Sequence, residues 1–150
     1  VIGNLLLAYF AQAGHETEPS QRDGYRGWIL DQVDQVWTKF EGIFLGLWRD
    51  HHAGDLYPAG LFADPEGQAA LRRVRADYTA RLFADSVGFA AAKMIRRILG
   101  LAHIEELETI ANPDVRAACE KRALRLARDM LVNRGSYKSI GDVTSAAKRS

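Results

Sequence analysis

Residues 25–49 read YRGWILDQVDQVWTKFEGIFLGLWR. Within this stretch Trp28, Ile29, Val33, Val36, Trp37, Phe40, Phe44, Leu47 and Trp48 recur near a 3.6-residue period, which is the pattern of an amphipathic helix. At 1.5 Å per residue the helix is roughly 37 Å long. Asp31, Asp34 and Glu41 fall on its polar side. They read as a solvated face rather than an acid/base pair. Gly42 and Gly46 each weaken a helix by about 1 kcal/mol relative to Ala. Four residues apart, they would let a neighbouring backbone come close, so the expectation is that they are packing devices.

The flanking sequence is also helical in pattern. Val1 to Ala13 places Leu5, Leu6, Tyr9 and Phe10 on one face, and Gly14 to Asp23 is a loop containing Pro19 and Ser20. His51 to Gly67 is a second loop, broken by Gly54, Pro58, Gly60 and Pro65. Two helical segments follow, about Glu66–Ala84 and about Asp85–Leu99, which can run on as one. Gly88 and the small residues 90–92 predict a tightly packed entry, and Gly100 a helix end. His103 to Ile110 predicts a short helix. Asn112 caps another, with Pro113 and Asp114 suited to its first turn. That helix carries Val115, Ala118, Leu124, Leu126 and Met130 and ends near Asn133 to Gly135. Ser139 with Asp142 resembles a capping box for a last short helix. With no strand of more than a few residues and no repeat, the expected fold is all-α, with residues 1–150 as a single helical domain.

Composition narrows the function classes. A length of 150 residues is about one domain's worth. A chain that is 47% hydrophobic and 26% charged is no disordered tail or collagen-like repeat. Twenty Lys and Arg against nineteen Asp and Glu leave +1, so no bulk field favours nucleic acid or an acidic membrane. The apolar opening, Val1 to Phe10, is too short to span a bilayer and lacks a signal peptide's basic n-region. Cys119 stands alone, which excludes an intramolecular disulfide and fits a reducing compartment. It reads as a packed small hydrophobe rather than a nucleophile. The chain opens without Met inside an apolar run, so the expectation is a piece of a longer protein.

Few residues carry candidate chemistry. His52-Ala-Gly-Asp55-Leu resembles the HGD catalytic loop of small-molecule kinases. An extra Ala separates His52 from Gly54, however, and Gly60 stands where a magnesium-binding Asn belongs. A solvated turn is the favoured reading. His51 and His52 are adjacent and point apart on any regular element. No HExxH, CxxC, GxGxxG or GxxxxGK[ST] occurs. Arg72, Arg73 and Arg75, followed by Asp77, read as a solvated, salt-bridged face. Arg96 and Arg97 differ. They interrupt an apolar stretch, and successive helical residues lie about 100° apart, so at least one must sit near the core boundary. A guanidinium there needs partners for up to five donors. A carboxylate of the same chain and a polar, hydroxyl- or phosphate-rich ligand are the two alternatives.

Three stretches carry a resemblance: Gly88-FAAAKMIRRILGLA-His103, Ile2-GNLLLAYFA-Gln12 and Cys119-EKRA-Leu124. In order and spacing they resemble the C-terminal lobe of 5-methylthioribose kinase, over nearly the whole chain. The resemblance implies the helical part of the C-terminal lobe of a protein-kinase-like, two-lobed fold. It implies ATP- and Mg2+-dependent phosphoryl transfer to the 1-hydroxyl of 5-methylthioribose in methionine salvage, by a cytoplasmic homodimer. It also gives the paired arginines, here Arg96 and Arg97, a role in substrate binding. The phosphate-covering loop, nucleotide-pairing lysine, HGD loop and DPE segment of that family have no match here. The 150 residues alone are therefore expected to lack kinase activity and an ordered ATP site. The alternative is a stand-alone all-α interaction module derived from such a kinase.

Overall fold

The computed structural model describes residues 1–50 and 56–150. The variant HGD reading at His51, His52 and Asp55 lies outside these residues. The described residues form six α-helices: α1 (Ile2–Gln12), α2 (Asp23–Asp50), α3 (Pro65–Leu99), α4 (Glu105–Glu108), α5 (Pro113–Val132) and α6 (Ile140–Arg149). Short 3-10 turns occupy Ala13–His15, Ala59–Phe62 and Arg134–Ser136. Among the described residues there is no strand, and the fold is all-α.

α1 is the centre of the packing. It touches α2, α3, α4 and α5. The expectation of a single apolar face is too narrow, because Gly3, Leu6, Leu7, Tyr9, Phe10, Ala11 and Gln12 are all buried. A helix covered on several sides is a core helix, and its short length lets longer neighbours wrap it. Gly3 sets how close α3 comes. A Cβ there would lie 2.7 Å from the carbonyl oxygen of Ala90. That is too near for any side chain, and the obstacle is backbone that cannot swing aside.

The two predicted helices over 66–99 are one continuous helix of 35 residues, α3. Asp64 caps it, accepting from the Gly67 amide at 2.6 Å, with Pro65 at the first turn. Gly88 does not break it. A Cβ at Gly88 would meet the Arg134 side chain in ordinary contact at 3.4 Å, so the tight approach predicted for this stretch is at Ala90, against Gly3, and not at Gly88. Gly100 ends α3 in an extended conformation (φ −91°, ψ −177°) rather than a left-handed one. It is needed for space: a Cβ would sit 2.5 Å from the Arg96 carbonyl oxygen.

α2 departs from its sequence pattern in the second half. Ile29, Leu30, Val33 and Trp37 are buried, but Phe40, Ile43 and Leu47 are exposed. Phe44 and Trp48 pack instead on Tyr78 of α3, at ring distances of 5.8 and 5.2 Å. Gly42 and Gly46 are not packing devices. A Cβ at either would meet nothing within 4 Å among the described residues, so no described backbone uses the space they leave.

The remaining caps follow the sequence closely. The Asn112 side chain accepts from the amides of Asp114 and Val115, at 2.9 and 3.3 Å. Ser139 and Asp142 form a reciprocal capping box at the start of α6. The short helix predicted over His103 to Ile110 is one turn, α4. Cys119 is buried, and burial pushes its thiol up, which favours the inert thiol over the thiolate nucleophile. Tyr137 is also buried and donates to the Asp129 carboxylate. That bond, followed by one from Asn133, holds Asp129 below the ordinary carboxylate value.

Three outcomes are expected. Gly3→Ala should destabilise the protein by about 1–3 kcal/mol through overpacking. Gly42→Ala should stabilise it by about 0.5–1 kcal/mol through helix propensity. Denaturant melts of the two variants should therefore move in opposite directions. Tyr137→Phe should cost about 1 kcal/mol at neutral pH and let Asp129 titrate nearer to its ordinary value of 3.8. Because the folded value is depressed, this contribution is present above the ordinary value and lost as pH falls through the folded one. The gap between the melts should narrow in acid, and an unmoved Asp129 titration by NMR would contradict the assignment.

Candidate functional site

The apolar run before Arg96 keeps α3 helical to its end, with Ala91, Met94 and Ile98 turned into the core. This register fixes the two arginines. Arg97 is half-buried at the core boundary, whereas Arg96 is exposed. One of the pair therefore meets the boundary condition.

No carboxylate of the described residues pairs with either arginine. Arg97 Nη1 donates to the backbone carbonyls of Ala102 and His103, at 3.0 and 3.2 Å. Its Nε is buried without a protein partner. Arg97 thus holds the chain that leaves α3 across Gly100. Arg96 makes no side-chain hydrogen bond or ion pair with the described residues.

Arg97 lines a pocket of about 270 Å³ with Asn4, His103, Ile104, Glu105 and Glu106. Asn4 comes from α1, and the glutamates from the first turn of α4. His103 is braced by Glu108 at 3.5 Å, and Glu108 also meets Arg116 at 3.6 Å. His15 Nε2 lies 2.7 Å from the carbonyl oxygen of Glu106 and ties α4 to the turn after α1. The pocket offers guanidinium and amide donors beside carboxylate and carbonyl acceptors. That mixture suits a neutral, hydroxyl-rich ligand better than a bare anion. Sequence reading singled out Arg97 but not Asn4 or the two glutamates. These residues are brought together only by the packing of α1 against α4.

The basic run on α3 also differs from expectation. Arg72, Arg73 and Arg75 form no ion pair with Asp77 or any other described carboxylate. Arg75 lies instead beside Trp48, its guanidinium 5.9 Å from the ring and its Nη2 3.4 Å from the Trp48 carbonyl oxygen.

Among the described residues no group of three or more His, Cys, Asp or Glu is placed to hold a metal ion. Among them, too, no helix is long and apolar enough to cross a membrane.

No protein-family model matches the chain. Individual relatives do. A methylthioribose kinase of Escherichia coli O45:K1 (strain S88 / ExPEC) is 39% identical over 147 residues, covering 98% of this chain and 35% of its own length. Methylthioribose kinase 1 and methylthioribose kinase 2 of Oryza sativa subsp. japonica are each 41% identical over 144 residues, 95% of this chain and 33% of their own. The chain spans about a third of the length of the curated relatives it matches. Over nearly its whole length, this chain is thus a homologue of part of the methylthioribose kinases.

Proposed function

We propose that residues 1–150 are the C-terminal part of an ATP-dependent S-methyl-5-thioribose kinase, where Arg96 and Arg97 help to bind the sugar. The observation that carries this reading is the match to such kinases along almost all of this chain but only a third of theirs. The pocket at Arg97 supports it, with donors and acceptors suited to ribose hydroxyls. Arg97 spends Nη1 on two carbonyls, so its remaining donors serve the ligand while it shapes the loop after α3. Arg96 is exposed one position earlier and does not line this pocket; its share in this reading rests on the resemblance.

In this reading the sugar's 1-hydroxyl oxygen would form a bond to the γ-phosphorus of ATP and give its proton to the base, while the bond from that phosphorus to the β–γ bridging oxygen breaks and ADP leaves. Positioning and charge neutralisation dominate this chemistry. In this reading ATP, Mg2+, the base and the phosphate clamp are held by the rest of the kinase, which works in the cytoplasm as a homodimer.

A surface groove supports the further partner, the remainder of the kinase chain. Val1, Ile2, Trp37, Phe40, Phe89 and Ala90 line it, and Phe89 and Val1 are 78% and 77% exposed. Apolar area left in water here costs about 25 cal/mol per Å². The same exposed face is what favours the second reading, a stand-alone module that binds another protein. Reading the coding sequence upstream of Val1 separates them: an in-frame HGD loop and DPE segment supports the kinase, and a stop codon followed by a start supports the module.

Three measurements test the proposal. In the complete enzyme, Arg97→Ala and Arg96→Ala should each raise KM for the sugar or lower turnover by about tenfold or more. No effect from either change would remove the binding role. The purified 150-residue chain should show no ATP-dependent phosphorylation of methylthioribose, and detectable product would refute that expectation. It should also self-associate through the Phe89 groove or unfold at low stress. A sharp monomeric transition independent of concentration would count against the covered face.

A further inference from the structure

We propose that the cleft between α2, α3 and the start of α6 is a second binding site, which takes a phosphate monoester carrying an apolar ring. It shares no residue with the Arg97 pocket, and it goes beyond the kinase reading.

The cleft measures about 800 Å³, within the range of small-molecule sites. Its floor is apolar. Trp37 and Phe83 meet edge-on there, with centroids 4.8 Å apart, and Leu45 and Ile140 extend the surface. Its walls are basic. Arg49, Arg72, Arg75 and Lys138 line it against one carboxylate, Glu41.

The partners of these charges decide the ligand. Arg49 is taken up by Asp50, at 2.8 and 3.2 Å, and is discounted. Arg72 has no side-chain hydrogen bond or ion pair with the described residues. Arg75 has the long bond to the Trp48 carbonyl and a distant approach to the Trp48 ring, at 5.9 Å, but no carboxylate among the described residues, and its Nε is buried without a protein partner. Lys138 spends one donor on the Gly135 carbonyl, at 2.6 Å, and keeps two. Three cations against Glu41 leave a surplus of two positive charges. A phosphate monoester carries about −1.5 to −2 near neutral pH, so the charges match. A carboxylate would leave half the surplus unanswered.

Other polar groups add little. The Thr79 hydroxyl donates to the Arg75 carbonyl at 2.8 Å. The positive end of α6 is already met by Asp142, which accepts from the amides of Lys138 and Ser139 at 2.8 and 2.9 Å. The selectivity therefore rests on Arg72, Arg75 and Lys138 above an aromatic floor. That combination separates a ring-bearing ester from free phosphate and from an uncharged ring.

The test is calorimetric titration of the full-length protein that carries these residues, using 1-naphthyl phosphate, inorganic phosphate and 1-naphthol as probes. Naphthyl phosphate should bind more tightly than either of its halves, and more weakly as salt rises. Arg72→Gln with Arg75→Gln should weaken it by about tenfold or more. Lys121→Gln, on α5 outside the lining, should leave it unchanged. Thermal unfolding shows whether each variant is folded. Should Arg75→Gln fail to fold, Arg72→Gln alone must still weaken binding, and the probe must still shift the Trp37 indole resonance of the unsubstituted protein. No binding at millimolar probe, equal binding of either half, or affinity unmoved by the substitutions overturns the site.

Discussion

The crossing of α1 and α3 at Gly3 and Ala90 is the contact on which the rest depends. Only a residue without Cβ lets the two backbones meet there. Their closeness turns an 11-residue helix into a core that α2, α3, α4 and α5 can all reach. Leu6, Leu7 and Tyr9 are buried as a result, although they point in different directions around the helix. Asn4, one residue beyond the crossing, is carried by the same approach to the pocket at Arg97.

What could be read from the sequence was local. The Asn112 cap, the Pro113 start and the Ser139–Asp142 box each depend on residues within three positions of one another. What could not be read depends on neighbours distant in the chain. Gly42 and Gly46 looked like contact points, yet no described residue lies across from them, while Gly3 carries the contact. The apolar stripe of α2 is continuous in sequence, but it is buried only as far as Trp37. Arg73 and Asp77 stand four apart, the spacing of a helical ion pair. With the cation on the N-terminal side, however, that is the weaker orientation, and no such bridge forms.

The twin arginines were partly legible. The apolar run around them required one to sit at the core boundary, and Arg97 does. Its partners, two carbonyls in the turn after Gly100, follow from how α3 ends. Asn4, Glu105 and Glu106 carried no signal, because each is an ordinary polar residue on its own helix. The basic cleft was hidden for a similar reason: Arg75 and Lys138 are 63 positions apart in sequence, and α6 brings them together.

α3 runs unbroken from Pro65 to Leu99. Arg75 and Arg97 therefore stand on one strut, about 33 Å apart by helical rise. A strut of this kind behaves as a lever: any tilt about its Gly3 fulcrum displaces both ends at once. Neither end can be retuned by leaning the rod without disturbing the other, so adaptation at each is confined to the side chains and loops that surround it.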